Sequence, residues 1–253
     1  MARALGEEQP FFALNTQGVN GGSMPRSIEA MAASYIELVC SAQPQGPYVL
    51  GGFCNGGVVA YEMARQLTEN GQKVDLVMMI GADMFNTRLL ALHRLTSILG
   101  ALLGLGPDER ADLFAAWRDR AIRSVLLLKK ILGRGSGIPG DFIAAEARME
   151  GYDPHVELAY GKVLDRYVPK PYHGRLVLFW PTDERNELRR DPSAGWAKVA
   201  SQIDVQMIPG GHVSCIFEHV KGLAEIMRDC LDQAETEVEE PRSPAPLSRE
   251  SPS

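Results

Sequence analysis

No apolar run in the sequence is long enough to cross a bilayer. The most apolar stretch, Leu95 to Leu105, is broken by Gly100 and Gly104 and falls short of the roughly 20 residues a spanning helix needs. It reads instead as a buried or cleft-lining helix. The four cysteines, Cys40, Cys54, Cys215 and Cys230, form no Cys-x-x-Cys pair, and no apolar signal segment follows Met1. These absences point to a reduced, cytoplasmic chain without structural disulfides or a zinc site. Basic charge is not in excess either: 26 Lys and Arg against 32 Asp and Glu give a formal net charge of −6. Such a surface offers no general attraction to nucleic acid or to an anionic membrane.

What is present is one domain's worth of core. A chain of 253 residues, 45% of them hydrophobic, encloses one sizeable interior. Phe11 to Asn15 reads as a short strand, and Ser27 to Gln43 carries Ile28, Met31, Ala32, Tyr35, Leu38 and Val39 at helical spacing. Tyr48 to Phe53 is a second apolar run, entered through Gly46-Pro47 and followed at once by a helix expected to end near Asn70-Gly71. Asp75 to Ile80 follows as a buried strand. Strand and helix in alternation predict an α/β fold with a mostly parallel sheet.

From Met84 to Tyr172 the alternation stops, and helical segments such as Arg110 to Leu132 and Glu157 to Tyr167 predict a helical lid inserted at about residues 84–172. Leu99, Leu102, Leu103, Trp117, Leu126 and Leu127 within it either line a substrate cleft or form the lid's own core. Strands resume at Arg175 to Trp180 and Asp204 to Ile208, and Glu218 to Gln233 closes the domain as a helix. Residues 234–253, rich in Glu, Pro and Ser, are expected to form a disordered tail after a domain spanning 1–233.

The strongest chemical signal is Gly52-Phe53-Cys54-Asn55-Gly56, a Gly-x-Cys-x-Gly nucleophile elbow between strand and helix. The nucleophile has to stand exposed on a sharp turn, and side chains at Gly52 or Gly56 are expected to collide with the neighbouring strand and helix. The turn aims the Asn55 backbone N–H and the helix N-terminus at one point, where they stabilise a thiolate and a developing oxyanion. A buried structural Cys and a phosphate-binding Gly turn remain open as readings of the same spacing. The second signal is Ile208-Pro209-Gly210-Gly211-His212, a strand end, a Gly turn and a histidine late in the chain, where a general base belongs in the order nucleophile, acid, histidine. His93, His155, His173 and His219 lack that context.

The stretch from Gly46 to Leu67, the segment Tyr167 to Leu176 and the loop Ile208 to His212 resemble the thioesterase domains that end nonribosomal peptide and polyketide assembly lines, members of the α/β-hydrolase superfamily. The resemblance implies Cys54 as nucleophile and His212 as base. It also implies an acyl or peptidyl carrier protein as partner, whose phosphopantetheine arm delivers the acyl thioester, with no metal or bound cofactor. Three departures accompany it. Cys54 stands where most members carry Ser. Gly81 stands where the family keeps its acid, leaving Asp83 as the preferred orienter of His212 and Asp183 as the alternative. The chain also begins with residues resembling the helix after the family's His-Gly loop, so the first strand is expected to be missing or supplied from elsewhere. Two rivals remain: a dienelactone-hydrolase-like enzyme, which shares the Gly-x-Cys-x-Gly elbow, and a non-catalytic α/β-hydrolase-fold binding module.

Overall fold

A computed structural model of the chain describes residues 1–15, 25–131, 154–183 and 191–239. Four parallel strands lie in the order β1 (Tyr48–Phe53), β2 (Val74–Ile80), β3 (Tyr172–Pro181) and β4 (Ala200–Ile208). The two central strands are covered on both faces, so their side chains alternate between two cores instead of between core and water. Val77, Met79, Leu176 and Leu178 face one cluster; Leu76, Met78, Ile80, Val177 and Phe179 face the other.

The first face is covered by helices α2 (Ile28–Ala42) and α3 (Asn55–Glu69). Helix α2 starts where Ser27 Oγ accepts the Ala30 N–H, and it buries Ile28, Met31, Ala32 and Tyr35, one stripe at helical spacing. A short N-terminal turn of helix, α1 (Ala2–Leu5), packs beside the long closing helix on the second face, where Leu5 joins the core. Between β2 and β3 the chain forms helices α4 (Leu90–Leu102), α5 (Pro107–Ile131) and α6 (Pro154–Arg166), the helical insertion expected from the sequence. After β4 come the single turn α7 (Ser214–Phe217) and the closing helix α8 (Val220–Glu239), which buries Leu223, Ala224, Met227, Cys230, Leu231 and Ala234 against the second face.

Four expectations are corrected. Phe11 to Asn15 form no strand; Asn15 is held on the α2 side by the Tyr35 hydroxyl, which donates to its carbonyl at 2.8 Å, and Phe12 is exposed. The apolar stretch at Leu95 is not buried: Leu95, Ile98, Leu102 and Leu103 are exposed, because α4 meets α5 through the face carrying Thr96 and Gly100. For the same reason Leu102, Leu103 and Leu127 are no lid core among the described residues, and the side chain of Leu126 lies outside them. The closing helix runs past Gln233 to Glu239 with Ala234 buried, since the apolar stripe of α8 continues one residue into the segment whose composition suggested a tail. Residues 240–253 lie outside the described residues, as do 132–153 of the insertion.

One buried polar cluster ties the elbow helix to the end of the insertion. Glu62, on α3, accepts hydrogen bonds from Arg65 Nε (2.9 Å) and Nη2 (2.7 Å), Gln66 Nε2 (2.8 Å) and the hydroxyl of Tyr167 (2.8 Å), the residue that follows α6. Burial pushes the Glu62 carboxyl up, but these hydrogen bonds and the Arg65 charge outweigh it and hold the group below its ordinary value. Removing one partner of such a pair leaves a charge buried without compensation, which costs a few kcal/mol.

Glu62→Gln is therefore expected to lower the unfolding free energy by about 3 kcal/mol at neutral pH in urea titration. A depressed folded-state value means that the carboxylate's contribution is present above the unfolded value and lost as pH falls through the folded one. The difference between wild type and variant should accordingly narrow below about pH 4.3. A difference that stays constant down to pH 3 would show that the carboxylate charge is not the stabilising feature.

Candidate active site

Because all four strands are parallel, their carboxyl ends lie at one edge of the sheet, and the loops that follow them converge there. The hydrogen-bond ladder continues beyond the strands and fixes those loops. Cys54 N donates to Ile80 O (2.8 Å), Gly81 N to Phe179 O (2.9 Å), Thr182 N to Ile208 O (2.9 Å) and Asp183 N to Gly210 O (3.0 Å). The residues after β1, β2, β3 and β4 are thus in register with one another as the strands are.

Cys54 joins β1 to α3 with φ 52° and ψ −122°, and among the described residues it alone of the non-glycines has a positive φ. This is the strained reversal that a nucleophile elbow requires. Its Sγ lies 3.7 Å from Asn55 Oδ1 at the start of the 15-residue helix α3, whose N-terminal dipole favours negative charge. The cause of the sharp turn is the close approach of helix to strand. A Cβ on Gly52 would lie 2.2 Å from the Gly56 carbonyl, and one on Gly57 would lie 2.9 Å from the Ala82 Cβ. Gly56 is different from its expected role: a Cβ there meets nothing within 4 Å, because it points away from the strand. The pair that must be small is Gly52 and Gly57, and only the crossing of α3 over β1 distinguishes Gly57 from its neighbour.

His212 follows β4 and is brought to the same place. Its ring packs 4.7 Å from the Phe53 ring, immediately before Cys54, and its Nδ1 would be 2.8 Å from a Cβ on Gly81. The loop that carries it is braced internally: Gly211 N donates to Ser214 Oγ (2.8 Å), Cys215 N to Gly211 O (3.0 Å) and the Cys215 thiol to His212 O (3.0 Å). His219, exposed, packs against Gly210.

The two candidate acids stand in the loops after β2 and β3. Asp83 lies two residues beyond Gly81; its Oδ1 accepts from Met84 N (2.8 Å) and sits 3.7 Å from the Arg88 guanidinium. Asp183 is held through its backbone to Gly210, and its carboxylate accepts from Thr182 Oγ1 (3.4 Å). The loop bearing Asp83 is anchored along its length. Trp196 Nε1 donates to Ala82 O (2.8 Å), Thr87 Oγ1 lies 2.9 Å from Met84 O and 2.7 Å from Gly195 O, and the Asn86 amide nitrogen lies 2.7–3.3 Å from the carbonyls of Leu164, Asp165 and Tyr167. Trp196 and Asn86 carry no motif, and their role emerges only from contacts 78 to 114 residues distant in sequence.

Among the described residues no group of His, Cys, Asp and Glu is arranged to hold a metal ion, and no helix is long and apolar enough to cross a membrane. Residues 1–94, which include Cys54 and Asp83, match the family model described as thioesterase domain. The chain is similar to inactive atromentin synthetase invA6 of Paxillus involutus, 29% identical over 244 residues that make up 92% of this chain and 25% of that protein. It is also similar to the non-reducing polyketide synthase crz7 of Cladonia metacorallifera, 30% identical over 76% of this chain and 9% of that protein. The chain thus spans a quarter or less of the length of these relatives. Its fold is that of the NocB thioesterase domain, solved in covalent complex with a fluorophosphonate nocardicin G analog: TM-score 0.52 and 24% identity, covering 83% of this chain and 76% of that one.

The packing of the elbow separates its glycines experimentally. Gly52→Ala is expected to abolish cooperative folding or to expel Cys54 from its turn, whereas Gly56→Ala, in open space on a helix, should stabilise slightly, by about 0.5 kcal/mol. Thermal melts of the two variants check this, and a Gly52→Ala protein as stable as wild type would show that α3 does not lie against β1 as described.

Proposed function

We propose that the chain is a thioesterase domain that releases an acyl, peptidyl or polyketide chain from the phosphopantetheine thioester of a carrier protein through an intermediate on Cys54. The observation that carries this reading is the backbone of Cys54, a non-glycine residue kept at φ 52° where a strand turns into a helix. Strain of this kind persists where it aims a reactive side chain.

In the proposed reaction His212 takes the Cys54 thiol proton, and the sulfur attacks the carrier thioester carbonyl. The Asn55 N–H, at the first position of α3, helps to hold the oxyanion. Collapse expels the phosphopantetheine thiol, which recovers the proton from His212, and leaves an acyl-Cys54 thioester. Water, or an amine or hydroxyl on the chain or on a second substrate, then takes the acyl group with His212 assisting, and Cys54 is regenerated as the thiol. A thioester at Cys54 retains about the activation of the incoming carrier thioester, whereas an ester on Ser does not. Cyclisation or condensation therefore competes better with hydrolysis here. Acyl transfer by a thiol and an imidazole needs no metal or bound cofactor; the phosphopantetheine arrives with the substrate, and the site of action is the cytoplasm.

Asp83 is the proposed orienter of His212. The imidazole Nδ1, the atom that an acid must hold, faces the end of β2 from which the Asp83 loop departs. A second reading, a non-catalytic binding module, draws on the same region, because a glycine fills the place where the family keeps its acid and Asp83 is already engaged by Met84 N and Arg88. A dienelactone-hydrolase-like activity fits less well with the long helices described between β2 and β3 and with the family match.

With a synthetic acyl-pantetheine thioester, product analysis by mass spectrometry should show turnover that Cys54→Ala eliminates together with acyl-enzyme labelling. Cys54→Ser should stay folded and shift any mixture of cyclised and hydrolysed product toward hydrolysis. Absence of labelling in the wild type would favour the binding module instead.

His212→Ala is expected to lower acyl transfer by roughly 10⁴-fold, the scale of losing a triad member, while His219→Ala costs little. Asp83→Asn should cost more than Asp183→Asn. Equal losses in the two histidine variants would show the base to be misplaced, and a larger loss in Asp183→Asn would move the acid to the β3 loop.

A further inference from the structure

Gly81 directly follows β2 with φ +60°, a conformation that favours glycine, and His212 occupies the space a side chain would take there. A Cβ would lie 2.8 Å from Nδ1 and 3.0 Å from Cε1, closer than non-bonded atoms approach. The ring has little room to yield by translation. Phe53 packs on it, and the loop beneath is pinned by the Gly211, Ser214 and Cys215 hydrogen bonds. The backbone of Gly81 is equally fixed, by its N–H on Phe179 O. A side chain at 81 would thus turn the imidazole about its own torsions and displace both ring nitrogens.

We infer that Gly81 is a positioning residue for the base, the missing side chain being the seat on which the His212 imidazole rests with Nδ1 over the end of β2. The inference rests on the proposed role of His212. It assigns to position 81 the opposite duty from a carboxylate: the ring is placed by contact with bare backbone. Misplacing a reacting group by about 1 Å costs on the order of 10²-fold in rate, so a single Cβ suffices to register.

The test is a double-mutant cycle on the full chain, read as turnover of an acyl-pantetheine thioester and as the alkylation rate of Cys54 by iodoacetamide at pH 7, followed by peptide mass spectrometry. Gly81→Ala should slow both by more than about tenfold in the wild-type background and by less than about twofold in the His212→Ala background, because the residue acts only through the imidazole. Gly71→Ala is the control. Gly71 has φ +77° with nothing within 4 Å of its would-be Cβ, so it carries a like backbone penalty and should lower the melting temperature without changing Cys54 reactivity. If Gly81→Ala does not fold, Gly81→Asn carries the same Cβ on a residue that tolerates positive φ. The wild type gives an independent reading: a nuclear Overhauser contact between the His212 Hε1 and a Gly81 Hα is expected. Equal fold-losses in both backgrounds, or absence of that contact in the folded wild type, would overturn the inference while leaving the base assignment standing. Full activity in His212→Ala alone would instead remove the base assignment.

Discussion

The first turn of helix α3 lies so close to the end of strand β1 that no side-chain atom fits between Gly52 and Gly56, and the geometry of the elbow follows from that contact. With Gly52 2.2 Å from the Gly56 carbonyl by its would-be Cβ, the chain has to reverse within one residue on leaving β1. Cys54 absorbs the reversal at φ 52°, with its thiol at the start of α3 beside Asn55. The same contact sets α3 against Met79 and Ala82 through Gly57, so the elbow and the end of β2 are packed as one unit.

The remaining parts of the site are held by backbone hydrogen bonds that carry the sheet's register into its loops. Each loop leaves its strand at a fixed height, and short side-chain anchors then prevent it from drifting. Trp196 holds Ala82, Thr87 lies between Met84 and Gly195, and the Asn86 amide reaches the final turn of α6. Asn86 also accepts Arg118 Nε from α5 at 2.7 Å, and Arg118 in turn pairs with Asp165. The insertion is therefore coupled at two points to the elements that bear the candidate site, through Asn86 after β2 and through Glu62 and Tyr167 beneath α3.

Much of this fold was legible in the residues. The run Tyr48–Phe53 was placed as the strand it is, β2 within one residue, and the helix between them by Cys54 and by Gly71, whose φ of +77° is the left-handed conformation expected after a helix. Periodicity also located α2, and it located α8 except for its last six residues. The strand expected at Phe11 failed because five apolar and polar residues in a row describe extended chain without saying whether a neighbour exists to pair with it. The exposed face of α4 failed for a related reason: an apolar helix is buried only where another element lies over it.

At the candidate site, sequence alone determined the residue types and their local context: a cysteine flanked by glycines at a strand-to-helix turn, a histidine after a Gly-Gly turn, and two aspartates near strand ends. Those are short-range properties, fixed by the φ values and side-chain sizes of adjacent residues. Tertiary structure decided that Gly57, not Gly56, is the second residue compelled to be small, that His212 packs on Gly81 beside Phe53, and that the Asp83 loop is tied to Trp196, Gly195 and the end of α6. It also joined Glu62 to Tyr167 across 105 residues of sequence. Each of these depends on how two elements cross or which loops share a sheet edge, and a distance between residues far apart in the chain exists only once the core has packed.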